Sequence, residues 1–189
     1  MTRAHTGRRR NEEARKATLA ATFEAIRRDG VSGLRIESIA REAGVSKQTI
    51  YRWWPRRAAL VVDAASERSH AEIAVRDTGS VAGDVEAFLD ATYRAARLPD
   101  MTPVLRALLV EAQAGGEAAE ALDSFTGGRR ELLAGILQRG IDRRELPADT
   151  DLELLCDIGF GVLWYRLLVG HARVDDTLAR RVTAAIVPR

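Results

Sequence analysis

Apolar residues recur three and four positions apart along most of the chain, the spacing of one face of an α-helix. Leu19, Phe23 and Ile26 form the first such face. Asn11 ahead of Glu12 and Glu13 marks its start, a capping side chain followed by acids in the first turn, and Asp29-Gly30 marks its end. A second helix is predicted over about 36–43, with Ile36, Ile39 and Ala40 inward, and Gly44 stops it. Ser46 caps a third helix that runs to about Trp54, where Pro55 ends it. A fourth starts near Arg57 and reaches toward Asp77. Further helices are predicted over about 84–97, 103–114 (Thr102 capping, Pro103 first), 117–140 with a weak point at Gly127-Gly128, 151–169 and 175–187. No segment alternates as a strand does, and no repeat is present. The fold class is all-α with about nine helices.

Composition narrows the classes. The 189 residues are 46% hydrophobic and 30% charged, enough to bury a core without staples and too apolar for disorder. The single cysteine, Cys156, excludes a disulfide scaffold and a multi-cysteine zinc site. The longest apolar run, Ile158 to Tyr165, is far short of a membrane span, and no apolar segment of a signal peptide follows the basic N-terminus. A soluble, cytoplasmic protein with no membrane partner is expected. His5, His70 and His171 lie far apart without metal-type spacing, so no metal is expected. There is no nucleophile elbow or phosphate loop, and Gly159-Phe160-Gly161 lacks the third glycine and the preceding strand of a dinucleotide motif. No enzyme activity and no cofactor are expected.

Charge separates the two ends. Residues 1–60 hold 14 Lys or Arg against 6 Asp or Glu, a net of +8; residues 61–189 hold 15 against 21, a net of −6. A basic head on an acidic body suggests a polyanion for the head. Within it, "IAREAGVSKQTIYRWW" has helix–glycine–helix spacing. Ile39, Ala40, Val45 and Ile50 would pack the two helices together, and Gly44 would supply a left-handed turn. The second helix would then expose Lys47, Gln48, Thr49, Arg52 and Trp53 near its N-terminal end, as a helix entering a DNA major groove does. Gln48 can bond adenine at two points, Lys47 suits guanine or phosphate, and Thr49 can touch a thymine methyl or a phosphate. A helical hairpin that binds nothing has the same spacing. Arg3, Arg8, Arg9 and Arg10 suit either a minor-groove arm or a solvated tail.

The stretch "ATLAATFEAIRRDGVSGLRIESIAREAGVSKQTIYRWWPRRAALVVDAA" resembles the DNA-binding head of the TetR family of bacterial transcriptional regulators, over about residues 12–65. The likeness rests on the first-helix face, Gly30, Ile39-Ala40, Gly44-Val45-Ser46, Thr49, Tyr51, Trp54 and Arg57. It implies a three-helix head over 11–56 and a helical regulatory and dimerisation body over 57–189; the basic residues 1–10 ahead of the first helix are expected to be a disordered tail. It also places the DNA contacts. Lys47, Gln48 and Thr49 take the base-contacting positions, Tyr51 and Trp53 those facing the backbone, and Arg57 that of a phosphate-binding lysine. Trp54 falls at a core position. Arg35 stands where a capping Ser or Thr usually touches phosphate; arginine cannot cap that way, though it can itself reach a phosphate.

For the body the resemblance implies a homodimer, a palindromic double-stranded operator and an unidentified small-molecule effector. The helix over 151–169 is apolar on more than one face, which requires burial on both sides. With the last helix it implies an interface at Leu155, Gly159, Val162, Leu163, Leu178, Val182, Ala185 and Ile186. Phe88, Tyr93, Met101, Gln113, Phe160 and Trp164 are candidates to line an effector pocket, which few inward charges would make apolar or weakly polar. Two other readings remain open: a helical ligand-binding or enzymatic protein with a vestigial helix-turn-helix, and an architectural DNA binder that reads no sequence.

Overall fold

A computed structural model describes residues 3–70 and 77–187, with side chains described over 11–68 and 77–187. Among the described residues there are nine helices and no strand: α1 (Arg3–Asp29), α2 (Ile36–Glu42), α3 (Lys47–Trp53), α4 (Arg57–His70), α5 (Val81–Ala96), α6 (Met101–Ala112), α7 (Gly116–Asp142), α8 (Leu152–Val169) and α9 (Leu178–Ile186). The expected start of α1 at Asn11, after a ten-residue tail, differs from what is found: the helix extends back to Arg3. Arginine is a good helix former, and Arg8 to Arg10 continue the turn. The side chains of Arg3, His5, Arg8, Arg9, Arg10 and His70, and the stretch 71–76 expected in the fourth helix, lie outside the described residues.

The chain forms two compact units that interleave in sequence. One comprises Met1–Arg68 with Pro103–Ser124, the other Ser69–Thr102 with Phe125–Arg189. The expected boundary lies at 56/57; the first unit also takes in most of α4, all of α6 but its first two residues, and the start of α7.

In the first unit Leu19, Phe23 and Ile26 are buried, as the helical spacing requires, and so are Ile39, Ile50, Leu60 and Val61. Thr18 and Thr22 are buried as well, and each hydroxyl donates to the carbonyl four residues back, so neither is left unpaired. The second unit is built on α5, α8, α9 and the later part of α7, with Phe88, Leu89, Leu133, Ile136, Leu137, Leu163 and Leu167 inside. α9 packs on α5 and on α8.

Three later helix starts differ from expectation for identifiable reasons. α5 begins at Val81 and not near Asp84, because the Ser80 hydroxyl caps it by accepting from the Gly83 amide at 3.2 Å. Thr102 does not cap α6; its hydroxyl donates to the Ala96 carbonyl at 2.8 Å, and the helix begins at Met101. Pro103 still falls in the first turn, where no amide donor is needed. α9 begins at Leu178 and not near Asp175, because Asp175 accepts from the amide and hydroxyl of Thr177 in a local turn.

Asp84 is the main polar feature of the second unit's core. Its side chain is fully buried and accepts from the Thr78 amide and hydroxyl and from Arg143 at 3.0 Å. Burial would raise its pKa, but the Thr78 bonds and the Arg143 guanidinium outweigh burial and hold it below the usual carboxylate range. A depressed folded value means a stabilisation present above the unfolded pKa of about 4 and lost as pH falls through the folded one. Asp84→Asn is expected to cost about 2 kcal/mol near neutral pH, with the gap to wild type narrowing as pH falls below about 4 and through the folded value. Thermal unfolding across that range checks it; a gap that stays constant with pH would contradict the assignment.

Candidate nucleic-acid interface

Helix α2 ends at Glu42, and Gly44 follows with φ of +66°. The Val45 amide donates to the Ala40 carbonyl at 3.0 Å and the Gly44 amide to Arg41 at 3.3 Å, the bond pair of a Schellman turn. A Cβ on Gly44 would meet nothing within 4 Å, so the glycine is required by its backbone angle and not by space. The turn delivers Ser46 to the N-cap of α3, where its hydroxyl accepts from the Thr49 amide at 3.1 Å. Ile50 is completely buried and fixes which side of α3 faces the core.

The opposite side faces solvent. At about 100° per residue, positions 47, 48, 51 and 52 fall within one arc. Lys47, Gln48, Tyr51 and Arg52 are exposed there; Thr49 and Trp53, which fall outside the arc, are half-buried. The Gln48 side chain has no hydrogen bond to any described residue. Lys47 has one: its Nζ lies 3.0 Å from Glu37 Oε1 on α2, a partner the sequence reading missed. The hydrogen bond and opposite charge raise the Lys47 pKa and lower that of Glu37, so both stay ionised. The Thr49 hydroxyl is shared with Ser46 Oγ at 2.9 Å. Trp54 is in the core, as expected, with its Nε1 donating to Asp63 at 2.8 Å. Arg15 bonds the same carboxylate and lies 5.3 Å over the Trp54 ring.

A second basic cluster borders this face. Arg35, the N-cap residue of α2, makes no capping bond and is exposed. With Tyr51, Arg56 and Arg57 it borders an open cleft of about 420 Å³. Arg57 donates to the Leu34 carbonyl at 3.3 Å and pairs through Nε with Glu117; Arg56 pairs with Glu120. Both acids belong to the first turns of α7. On α6, Glu111 accepts from the Val31 amide at 2.9 Å and from the amide and hydroxyl of Ser32 at 2.5 and 2.6 Å. This clamp sets the loop between α1 and α2, and Gly30 (φ +74°) allows it: a Cβ there would come within 2.5 Å of the Glu111 carboxylate. Arg56 sits beside a residue the sequence did single out. Glu111, Glu117 and Glu120 lie 60 to 80 positions from their partners, and no spacing rule connects them.

In the second unit the candidate residues separate. Phe88, Tyr93, Met101 and Phe160 are buried, Phe88 and Phe160 meeting edge to face at 6.4 Å. Tyr93 donates to the Gly159 carbonyl at 2.5 Å, and burial pushes its pKa up. Trp164 is half-buried. Gln113 does not join them: it is exposed in the first unit, its amide donating to the Leu109 carbonyl of its own helix at 3.3 Å. Gly159, Leu163, Leu178, Val182 and Ile186 are packed inside the single chain, Gly159 against Leu89 and Leu133 and the α9 residues where α9 packs on α5 and α8; Leu155 and Val162 are half-buried and Ala185 is exposed. The exposed apolar residues of α8 are instead Leu154, Ile158, Tyr165, Leu168 and Val169. Cys156 is buried, which raises its thiol pKa and makes it a poor nucleophile.

A short capped helix that presents basic and amide side chains after a glycine turn, on a basic three-helix head, defines a helix-turn-helix DNA-binding protein. Residues 19–64 match the family model described as bacterial regulatory proteins, tetR family, and residues 75–186 match the tetracyclin repressor-like C-terminal domain. The chain belongs to the TetR family of transcriptional regulators. It is 32% identical over 175 residues to the transcriptional regulator YdeS of Bacillus subtilis, covering 92% of this chain and 88% of that one. It is 31% identical over 183 residues to the DNA-binding transcriptional repressor TetR of Mycobacteroides abscessus, covering 92% of each. The solved TetR family regulator SCO0332 superposes with a TM-score of 0.77 at 30% identity, over 93% of this chain and 97% of that one.

Proposed function

We propose that this regulator is a homodimeric repressor that reads a palindromic operator through α3 and is released by a small-molecule effector held in its body. The observation that carries the reading is the exposed arc of α3, in which Lys47, Gln48, Tyr51 and Arg52 face outward from a helix locked by Ser46 and Ile50. Gln48 and Lys47 read base edges, with Thr49 at their side. Arg52, Tyr51, Trp53, Arg57 and Arg35 hold the phosphate backbone. Similarity to a relative described as a repressor supports the sign of regulation.

The outer face of α8 supports the dimer. Leu154, Ile158, Tyr165 and Leu168 recur at helical spacing and stay exposed in the single chain, at 37 to 58% of their surface. Gly161 lies on the same face, and a Cβ there would meet nothing within 4 Å, so the chain's own packing does not require a glycine. A second copy crossing closely at this point does require one. Two recognition helices about 34 Å apart would then enter successive major grooves. For the effector, the aromatic side chains of the second unit, Phe88 against Phe160 with Tyr93 and Trp164 on the same helices, favour an apolar or weakly polar molecule. Binding would act by favouring a half-site spacing that does not fit DNA. No described helix is long and apolar enough to cross a membrane, and the site of action is with the DNA in the cytoplasm. An operator recovered by selection and placed between a promoter and a reporter tests the sign. Co-expression is expected to lower reporter output several-fold; a rise would make the protein an activator.

A further inference from the structure

Arg56 and Arg57 stand at the start of α4, beside the exposed face of α3, and both are occupied by carboxylates from the first turns of α7. We propose that Glu117 and Glu120 act as internal stand-ins for DNA phosphate, so that binding requires Arg56 and Arg57 to exchange a carboxylate for a phosphodiester. The inference rests on the reading of Arg57 as a phosphate contact.

Arg57 donates to the Leu34 carbonyl, which fixes the guanidinium at the mouth of the cleft it shares with Arg35 and Tyr51. Its Nε is turned to Glu117, which lines the same cleft. Arg56, more exposed, is turned to Glu120 one helical turn further on. A guanidinium has five donors and can touch two anions, but a carboxylate and a phosphate against one cation repel each other. While the acids stay in place, two of the head's positive charges are neutralised and two negative charges face the incoming backbone. α7 thereby lowers the affinity of the head for all duplexes, without regard to sequence. The setting of its first turns adjusts that affinity: drawn away, it frees the arginines; pressed in, it blocks them.

The test measures binding of the full-length chain to a random-sequence duplex and to a selected operator across a salt series. E117Q/E120Q is expected to bind both duplexes about five- to tenfold more tightly at about 50 mM salt, the size two exposed ion pairs allow. The advantage should shrink below about twofold near 300 mM, because salt already weakens the internal pairs of the wild type. E131Q removes the same charge from an exposed position further along α7 and is expected to change neither affinity. In an R57A background the gain from E117Q should vanish. If the double variant is poorly folded by circular dichroism, E120Q alone, at a more exposed pair, is expected to give a smaller gain of the same sign. Unchanged or weakened binding by the glutamine variants, while R57A weakens binding to every duplex, would overturn the exchange and leave the phosphate reading standing. R57A binding like wild type would overturn both.

Discussion

Alanine at Lys47, Gln48 and Thr49 together is expected to abolish the difference between operator and random duplex, while binding to random duplex falls only slightly. Base contacts carry specificity and phosphate contacts carry most of the general affinity. A bidentate base contact discriminates by about 1–3 kcal/mol, and in a dimer each loss counts twice. The triple variant should therefore lose about three orders of magnitude on operator DNA. The fold should survive. Lys47 and Gln48 lie on the outer arc of α3 and Thr49 is half-buried beside it, the Ser46 cap to the Thr49 amide remains, and the Lys47–Glu37 pair is exposed and worth little to stability. R57A should behave in the opposite manner, weakening every duplex alike and flattening the salt dependence by about two units, one for each protomer. Fluorescence anisotropy titrations on both duplexes separate the two patterns. Equal losses on operator and random DNA for the triple variant would mean that α3 reads no sequence.

The second large effect is expected at α8. I158E/Y165E should leave a folded chain that sediments as a monomer at micromolar concentration. Both side chains are exposed in the single chain, so charge there costs the monomer little. In a dimer the same charges would be buried against the partner's apolar stripe, unpaired. Operator affinity should fall by about 100-fold or more, because two linked half-site contacts become two separate ones. The helical signal by circular dichroism should be unchanged. A variant that stays dimeric would place the interface elsewhere.

How far the sequence could be read depends on the range of the interactions involved. The recognition segment is local. Gly44, Ser46 and Ile50 act within a few residues of one another, so their spacing alone was enough to place the turn, the cap and the inward side of α3. Helix positions followed for the same reason, from apolar periodicity and the glycines and prolines that punctuate it. The misplaced starts of α6 and α9 turned on a single choice of hydrogen-bond partner, Thr102 for Ala96 and Asp175 for Thr177. The face of α8 was ambiguous because the helix is apolar all round. Only the packing of the other helices decides that Gly159, against Leu89 of α5 and Leu133 of α7, and Leu163 turn inward while Ile158 and Tyr165 do not. Glu111, Glu117 and Glu120 were invisible, because an exposed glutamate on a helix looks the same whether or not an arginine or an amide from far along the chain meets it.

Selection of bound duplexes from a random pool at about 150 mM salt, where nonspecific affinity is weak, tests the central claim most directly. The expected result is enrichment of an inverted repeat with half-sites about one helical turn apart. A pool that returns unenriched would contradict a dimer that reads sequence.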